Sequence, residues 1–209
     1  MRRRGPLREM LDGEAEQLSE KLGVEEVYQI SLPAVGNYIP PFPHVDMYVT
    51  LRGMRWVNGR RRKLVFEGEL TRESVLGTGM VAYGFLRRQR DELDRIAGEF
   101  EKEEMGGFVV ERFPVVWDDY CKEFFSYNNC LVETGRLGGR KFIYLPSYKD
   151  SPGPFKKDYA RIQKALGEKL AKLGFKAMFI DGPFGPLGSA AGSLRCLVKV
   201  LGRSRGWWL

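Results

Sequence analysis

A mixed α/β fold is the class that this 209-residue sequence predicts, on three observations. Two long stretches, 79–104 and 154–174, have the composition and spacing of helices. Short runs that alternate or are rich in β-branched residues lie between and around them. In the last third the elements follow as strand, strand, helix, strand, loop, strand. The first third runs helix, strand, loop, strand, strand, so the pattern recurs loosely without a sequence repeat.

Taken in order, Leu7, Met10, Leu11, Ala15, Leu18 and Leu22 recur at helical spacing, and Gly23 is a natural stop for that helix. "VEEVYQISL" reads as a strand, followed by the Pro/Gly/Asn-rich loop "PAVGNYIPPFP". "HVDMYVTL" (44–51) and "KLVFEGEL" (63–70) are strands by alternation and β-branched content. Between them "VNGRRRKLVFEGEL" predicts a hairpin turning at Asn-Gly. The helix over 79–104 carries a densely charged outer half, "RRQRDELDRIAGEFEKEE". "GFVVERFPVVW", "FFSYNNCLVET" and "KFIYLPSY" each read as one strand, the last two joined by the Gly-rich turn "GRLGGR". The helix over 154–174 places Tyr159, Ile162, Leu166, Leu170 and Leu173 on one face. "FKAMFIDG", the loop "PFGPLGSAAG" and the strand "SLRCLVKVL" complete the chain, which is expected to form a single domain over 1–209.

Composition narrows the function classes. An apolar content of 43% supports a sizeable core, and 12% aromatic residues argue against disorder. The longest apolar runs fall far short of the roughly 18 residues a membrane span needs. The basic N-terminus runs straight into charged residues where a signal peptide would need an apolar stretch, so a cytoplasmic location is expected. Cys121, Cys130 and Cys196 are widely spaced, and a single histidine cannot complete a zinc site with them. Free thiols are the natural reading. The net charge of +7 concentrates at "MRRR", "GRRRK" and "GRSRGWW". Arginines at a hairpin tip are more often solvated surface than a reading head, and no nucleic-acid-binding motif of defined spacing occurs. Weak non-specific polyanion affinity fits; a dedicated nucleic-acid function is not expected.

Two features could carry chemistry. His44 and Asp46 open a strand, and side chains two apart on a regular strand share a face. Cys196 follows the Gly/Ser-rich loop "GPLGSAAGSLR", where small residues permit close approach of a ligand or a backbone. A cysteine with a histidine is the minimum for covalent catalysis, the thiolate attacking and the imidazole moving protons. A carboxylate beside them suits a planar cation, because a guanidinium offers paired N–H donors. The residues alone leave the blander reading open: a core-filling Cys196 and an Asp46 that only caps a turn.

The stretch "EAEQLSEKLGVEEVYQISLPAVGNYIPPFPHVDMYVTL" resembles the middle of the guanidine-modifying, pentein-fold superfamily, in its agmatine deiminase and bacterial-type peptidylarginine deiminase branch. That branch has a helix ending in an "LGVEKV"-like phrase, a strand, a loop, and then "HVD" or "HID". "SYNNCLVE…FIYLPSYKD" is similar to its "YTNSLI…VYVPQYG" phrase, and "KLGFKAMFIDGPFGPLGSAAGSLRCLVKVL" to its "VVGID…GGSIHCIT" ending. The three matches come in the family's order and span nearly the whole chain.

The resemblance implies a partial pentein-type α/β propeller built from ββαβ-like modules, with the family's N-terminal modules missing. It implies Cys196 as nucleophile, His44 as general acid/base, Asp46 as a ligand of the substrate guanidinium, and Asn129 near the site. The implied activity is a deiminase-type hydrolysis of agmatine or peptidyl arginine to a ureido product with loss of ammonia, needing no metal or organic cofactor. Two departures accompany it. The residue before the nucleophile is usually His in the family and is Arg195 here, a cation that favours a thiolate but repels a cationic substrate. The family's "W-x-R-D-x-G-P" and "E-G-G-N" phrases do not occur. A ring short of modules would expose apolar flanks, so self-association or pairing with a separately encoded N-terminal half is expected. The alternative is a catalytically silent pentein-fold module for binding or assembly.

Overall fold

Asn58 and Gly59 both have positive φ, 51° and 75°, so the Asn-Gly pair forms the expected tight turn. It joins β1 (Val49–Val57) to β2 (Arg60–Glu69) as an antiparallel hairpin. The computed structural model describes Gln17, residues 48–77, 83–102, 107–134 and 141–184, and Leu194. The chain divides into two compact units, Met1–Asn37 and Tyr38–Leu209. In the first, Gln17 alone is described, and it is helical. The expected strand "VEEVYQISL", the first residues of "HVDMYVTL" and the last strand, apart from Leu194, lie outside the described residues.

After β2 a short 3-10 turn (Arg72–Ser74) is closed by reciprocal bonds between Thr71 and Ser74, a capping box, and leads into β3 (Val75–Leu76). Helix α1 (Tyr83–Glu101) lies within the predicted stretch and returns the chain to β4 (Val109–Asp118), which pairs parallel with β2. β3 also runs parallel to β4, and β5 (Glu123–Ser126) folds back antiparallel on its end. The first sheet is therefore ordered β1-β2-β4-β3, with β5 on β4. β6 (Leu131–Thr134) and β7 (Lys141–Pro146) form a second antiparallel pair. Helix α2 (Lys156–Lys172) then leads to β8 (Phe175–Ile180), parallel to β7. Both sheets repeat one plan: an antiparallel hairpin, a helix, and a return strand parallel to the hairpin's second strand. The expected mixed α/β class and ββαβ units are thus present, with two sheets and two long helices among the described residues; no closed ring of modules is seen among them.

The sequence reading joined residues 124–134 into one strand, and the structure corrects it. The chain leaves the first sheet at Ser126 and enters the second at Leu131. Asn128 N donates to Ser126 Oγ, and Cys130 N donates to Asn128 O. Such short-range bonds compete with a continuing ladder.

Helix α2 buries Tyr159, Ile162, Leu166 and Leu170, as its apolar spacing predicts, and Leu173 packs at the edge of that core. They join one cluster with Leu64, Phe66 and Phe113 of the first sheet and Ile143, Leu145 and Phe175 of the second. Phe66 stacks on Phe113 at 4.1 Å between ring centres and meets Phe175 edge-on at 5.8 Å. Tyr159 donates its hydroxyl to Asp118 Oδ2 at 2.8 Å, tying α2 to the end of β4. Burial and this bond push the Tyr159 phenol far above its ordinary pKa. Among the described residues no helix is long and apolar enough to cross a membrane.

The other face of the first sheet holds a buried acid. Glu67 is fully buried, with Arg112 Nε 3.0 Å from Oε2 but out of line for a hydrogen bond. Arg112 also reaches Asp94 of α1 at 2.7 Å. Burial pushes the Glu67 carboxyl up to about 9, with Arg112 opposing the shift and Asp94 and Glu69 adding to it.

Tyr159→Phe removes one donor from a buried carboxylate and should cost about 1–3 kcal/mol in urea unfolding. A carboxyl raised in the folded state contributes stability that is complete below its ordinary range and is lost as pH rises through its folded value, here about 9. Glu67→Gln imitates the protonated form, so its melting temperature should stay flat where the parent's falls, between about pH 5 and 9. A variant destabilised equally at every pH would mean that Glu67 is ionised in the fold.

Candidate functional site

Of the four predicted site residues, the structure describes one. Asn129 lies buried in the turn between β5 and β6. His44, Asp46 and Cys196 lie outside the described residues.

The turn is held from the start of β1. Thr50 Oγ1 donates to Asn128 O at 2.7 Å, and Asn128 Nδ2 donates to Tyr48 O at 3.1 Å. The same Tyr48 carbonyl accepts Gly68 N at 2.7 Å. Three segments, at residues 48–50, 68 and 128, thereby converge within hydrogen-bond distance although they are far apart in sequence. Gly68 makes the approach possible, since a Cβ there would stand 2.8 Å from Val115 Cγ2 and 3.5 Å from both Asn128 Nδ2 and Tyr48 Cα. Tyr148 closes the site from the second module, donating its hydroxyl to Ser126 O at 2.9 Å.

Aromatic rings wall this region. Tyr127 packs edge-on against Tyr148 at 5.1 Å and against Phe179 at 6.3 Å. Burial drives the Tyr127 phenol well above its ordinary pKa, with Tyr148 adding to the shift. It remains a neutral hydroxyl across the physiological range. Leu194 joins the same core cluster as Tyr127 and Cys130, which flank the paired asparagines.

The described thiols are poor nucleophiles. Cys130 is 2% exposed, and its Sγ donates to Asn128 O at 3.2 Å. Burial pushes the Cys121 thiol up, and Asp118 and Glu123 reinforce the shift, which disfavours the reactive thiolate. Asn128, which no sequence motif singled out, makes the bonds that bring the three segments together. Its only signal was its place in the doubled "NN" of a phrase already marked for Asn129. Glu67 had a plainer one, a carboxylate in the middle of the apolar strand "KLVFEGEL".

The chain is similar to two solved structures, each at 15% sequence identity. One is a proposed peptidyl-arginine deiminase, with a TM-score of 0.46 over 92% of this chain and 48% of that one. The other is the agmatine deiminase of C. jejuni, with a TM-score of 0.42 over 88% of this chain and 45% of that one. The chain thus spans about half the length of the solved structures it matches. No family model matches it. No curated protein matches it either.

The close seat at residue 68 gives a direct test. Gly68→Ala should lower stability by about 1–3 kcal/mol, because the buried Val115 methyl must move to admit the new carbon. Chemical denaturation will measure it, and an unchanged midpoint would show that the three segments are not held as tightly as the distances imply.

Proposed function

We propose that the chain is the catalytic part of a deiminase-type hydrolase that converts a guanidino group, on agmatine or a peptidyl arginine, to a ureido group. One observation supports this reading most. The turn carrying Asn129 is hydrogen-bonded to Tyr48, two residues along the chain from Asp46, and shares its core cluster with Leu194, two residues from Cys196. Tyr48 and Leu194 are the described residues nearest in sequence to those two motifs, and their ties to the core that holds this turn support the reading.

In this reading the Asp46 carboxylate receives the guanidinium N–H donors. The Cys196 thiolate adds to the guanidinium carbon, forming a C–S bond. One C–N bond breaks, and the departing nitrogen takes a proton from His44 and leaves as ammonia. The product of this half-reaction is a covalent thiouronium. Water then adds to the same carbon as His44 takes its proton, the C–S bond breaks, and the thiolate is regenerated beside a ureido product. Asn129 supports the site from its buried turn. The unreactive surroundings of Cys121 and Cys130 leave Cys196 as the thiol suited to this role.

The test is covalent labelling with a haloacetamidine, which mimics the guanidinium, alongside mass-spectrometric detection of ureido product from agmatine, free arginine and an arginine peptide. Cys196 should be labelled first, and Cys196→Ser should abolish both labelling and turnover. Cys121→Ser should leave most of each. Cys130→Ser is not a clean control, because its thiol bonds to the Asn128 carbonyl. Selective labelling without turnover would fit a chain whose second guanidinium-binding carboxylate is supplied by a separate N-terminal half. Equal labelling of all three cysteines would overturn the proposal and favour a silent binding module.

A further inference from the structure

The β1–β2 hairpin outruns its sheet. β4 pairs with β2 only from Leu64 onward. The four pairs from Met54 with Lys63 to Val57 with Arg60 therefore have no third strand beside them among the described residues. They form an arm roughly 14 Å long at about 3.4 Å per residue. A one-residue bulge between Leu51 and Met54, with Gly53 at φ 97°, separates this arm from the rest of the sheet. A bare two-stranded ribbon adds little stability of its own.

The arm's charge is one-sided. Between Met47 and Phe66 the sequence carries six arginines and lysines and no acid, so this segment accounts for six of the chain's net seven positive charges. Arg55 is neutralised by Glu111 at 2.6 Å. Arg60 and Arg61 are exposed and make no ion pair among the described residues. Trp56, directly opposite Arg61, is 69% exposed and makes no ring contact among the described residues. Residues opposed across an antiparallel pair share a face, and so do residues two apart on a strand. Trp56, Arg61 and Lys63 therefore lie together on one face of the ribbon, an exposed indole beside two cations. Lys63 also lies 5.4 Å from the centre of the Phe108 ring.

We infer that this face of the arm is a contact surface for single-stranded nucleic acid, engaged without sequence preference. Arg61 and Lys63, about 7 Å apart along their strand, meet backbone phosphates, and the Trp56 indole stacks on a base. A duplex keeps its bases stacked and offers nothing to the indole. An anionic membrane fits less well, because Asn58, Gly59 and Arg60 form the tip and would have to enter the bilayer ahead of the tryptophan.

The full chain is titrated with short labelled single strands of DNA and RNA, with the matching duplex, with heparin, and with phosphatidylserine vesicles. Binding to both single strands at physiological salt is expected. Trp56→Ala should weaken it ~10-fold through the lost stacking, with duplex and heparin binding unchanged. Trp56→Phe should recover most of the loss. The double variant Arg61→Ala/Lys63→Ala should weaken binding and lower the salt-dependence slope by roughly 1.4, two phosphate contacts at about 0.7 each. Circular dichroism confirms that each variant is folded; should Trp56→Ala fail to fold, tryptophan quenching by single strands that is undiminished in Trp56→Phe would overturn the inference. So would single-strand binding undiminished in the folded Trp56→Ala or in the Arg61→Ala/Lys63→Ala variant, a preference for duplex, or binding confined to vesicles.

Discussion

The carboxylate of Asp118 is completely buried, and the rest of the fold is arranged so that donors reach it. Tyr120 N and Cys121 N donate to Oδ1 at 2.9 and 3.0 Å, which bends the chain sharply out of β4 and starts it back as β5. Tyr159 supplies Oδ2 from helix α2. One side chain thus sets both the reversal that ends the first module and the position of the second module's helix. An uncompensated carboxylate in that place would be severely destabilising, so the three donors are a condition of the fold. The aromatic layer around Tyr159, with Phe125 at 5.9 Å and Tyr148 at 6.1 Å, excludes the water that could otherwise substitute for them.

What the sequence disclosed divides along a physical line. Helix α2 and the Asn-Gly turn could be read because their signals are local: an apolar stripe at helical spacing, and two residues able to take positive φ. The break after Ser126 could not. "FFSYNNCLVET" has the composition of one strand, and only its pairing, β5 with β4 and β6 with β7, divides it between two sheets. Strand pairing is a long-range choice that composition does not encode. The short strand β3 escaped notice for the same reason, since its two residues are a strand only beside Trp117 and Asp118. At the candidate site, the sequence marked Asn129 and the phrase around it, while the bonds that gather the segments run through the neighbouring Asn128 and through main-chain groups of Tyr48 and Gly68. Backbone acceptors leave no mark on side-chain identity. His44, Asp46 and Cys196 rest on motif and order alone.

Charge is sorted through the molecule in opposite senses. Acids are taken inside: Asp118 with three donors, and Glu67 with a single imperfectly aligned arginine. Cations are pushed outward onto the hairpin arm and along α2, where Lys169 Nζ still reaches back to Arg112 O at 2.7 Å and lies near Glu111. Lys169 and Arg55 both approach Glu111, so that one carboxylate lies between the base of the arm and the second module's helix.

Gly77 carries a consequence of a different kind. It has φ 78°, and a Cβ built there would collide with the tip of the Phe155 ring. The ring sits on the bare backbone at the end of β3, one residue before α2 begins, and that helix start has no side-chain cap. On the other side of the joint, a Cβ at Gly153 would lie 2.7 Å from the Tyr120 ring, so each module offers a glycine to an aromatic of the other. The two contacts run in opposite directions across the connection, the Phe155 one against bare backbone and the Tyr120 one at a ring that is 64% exposed. Any movement of one module against the other at this joint would have to lift the Phe155 ring from Gly77 and the Tyr120 ring from Gly153 together.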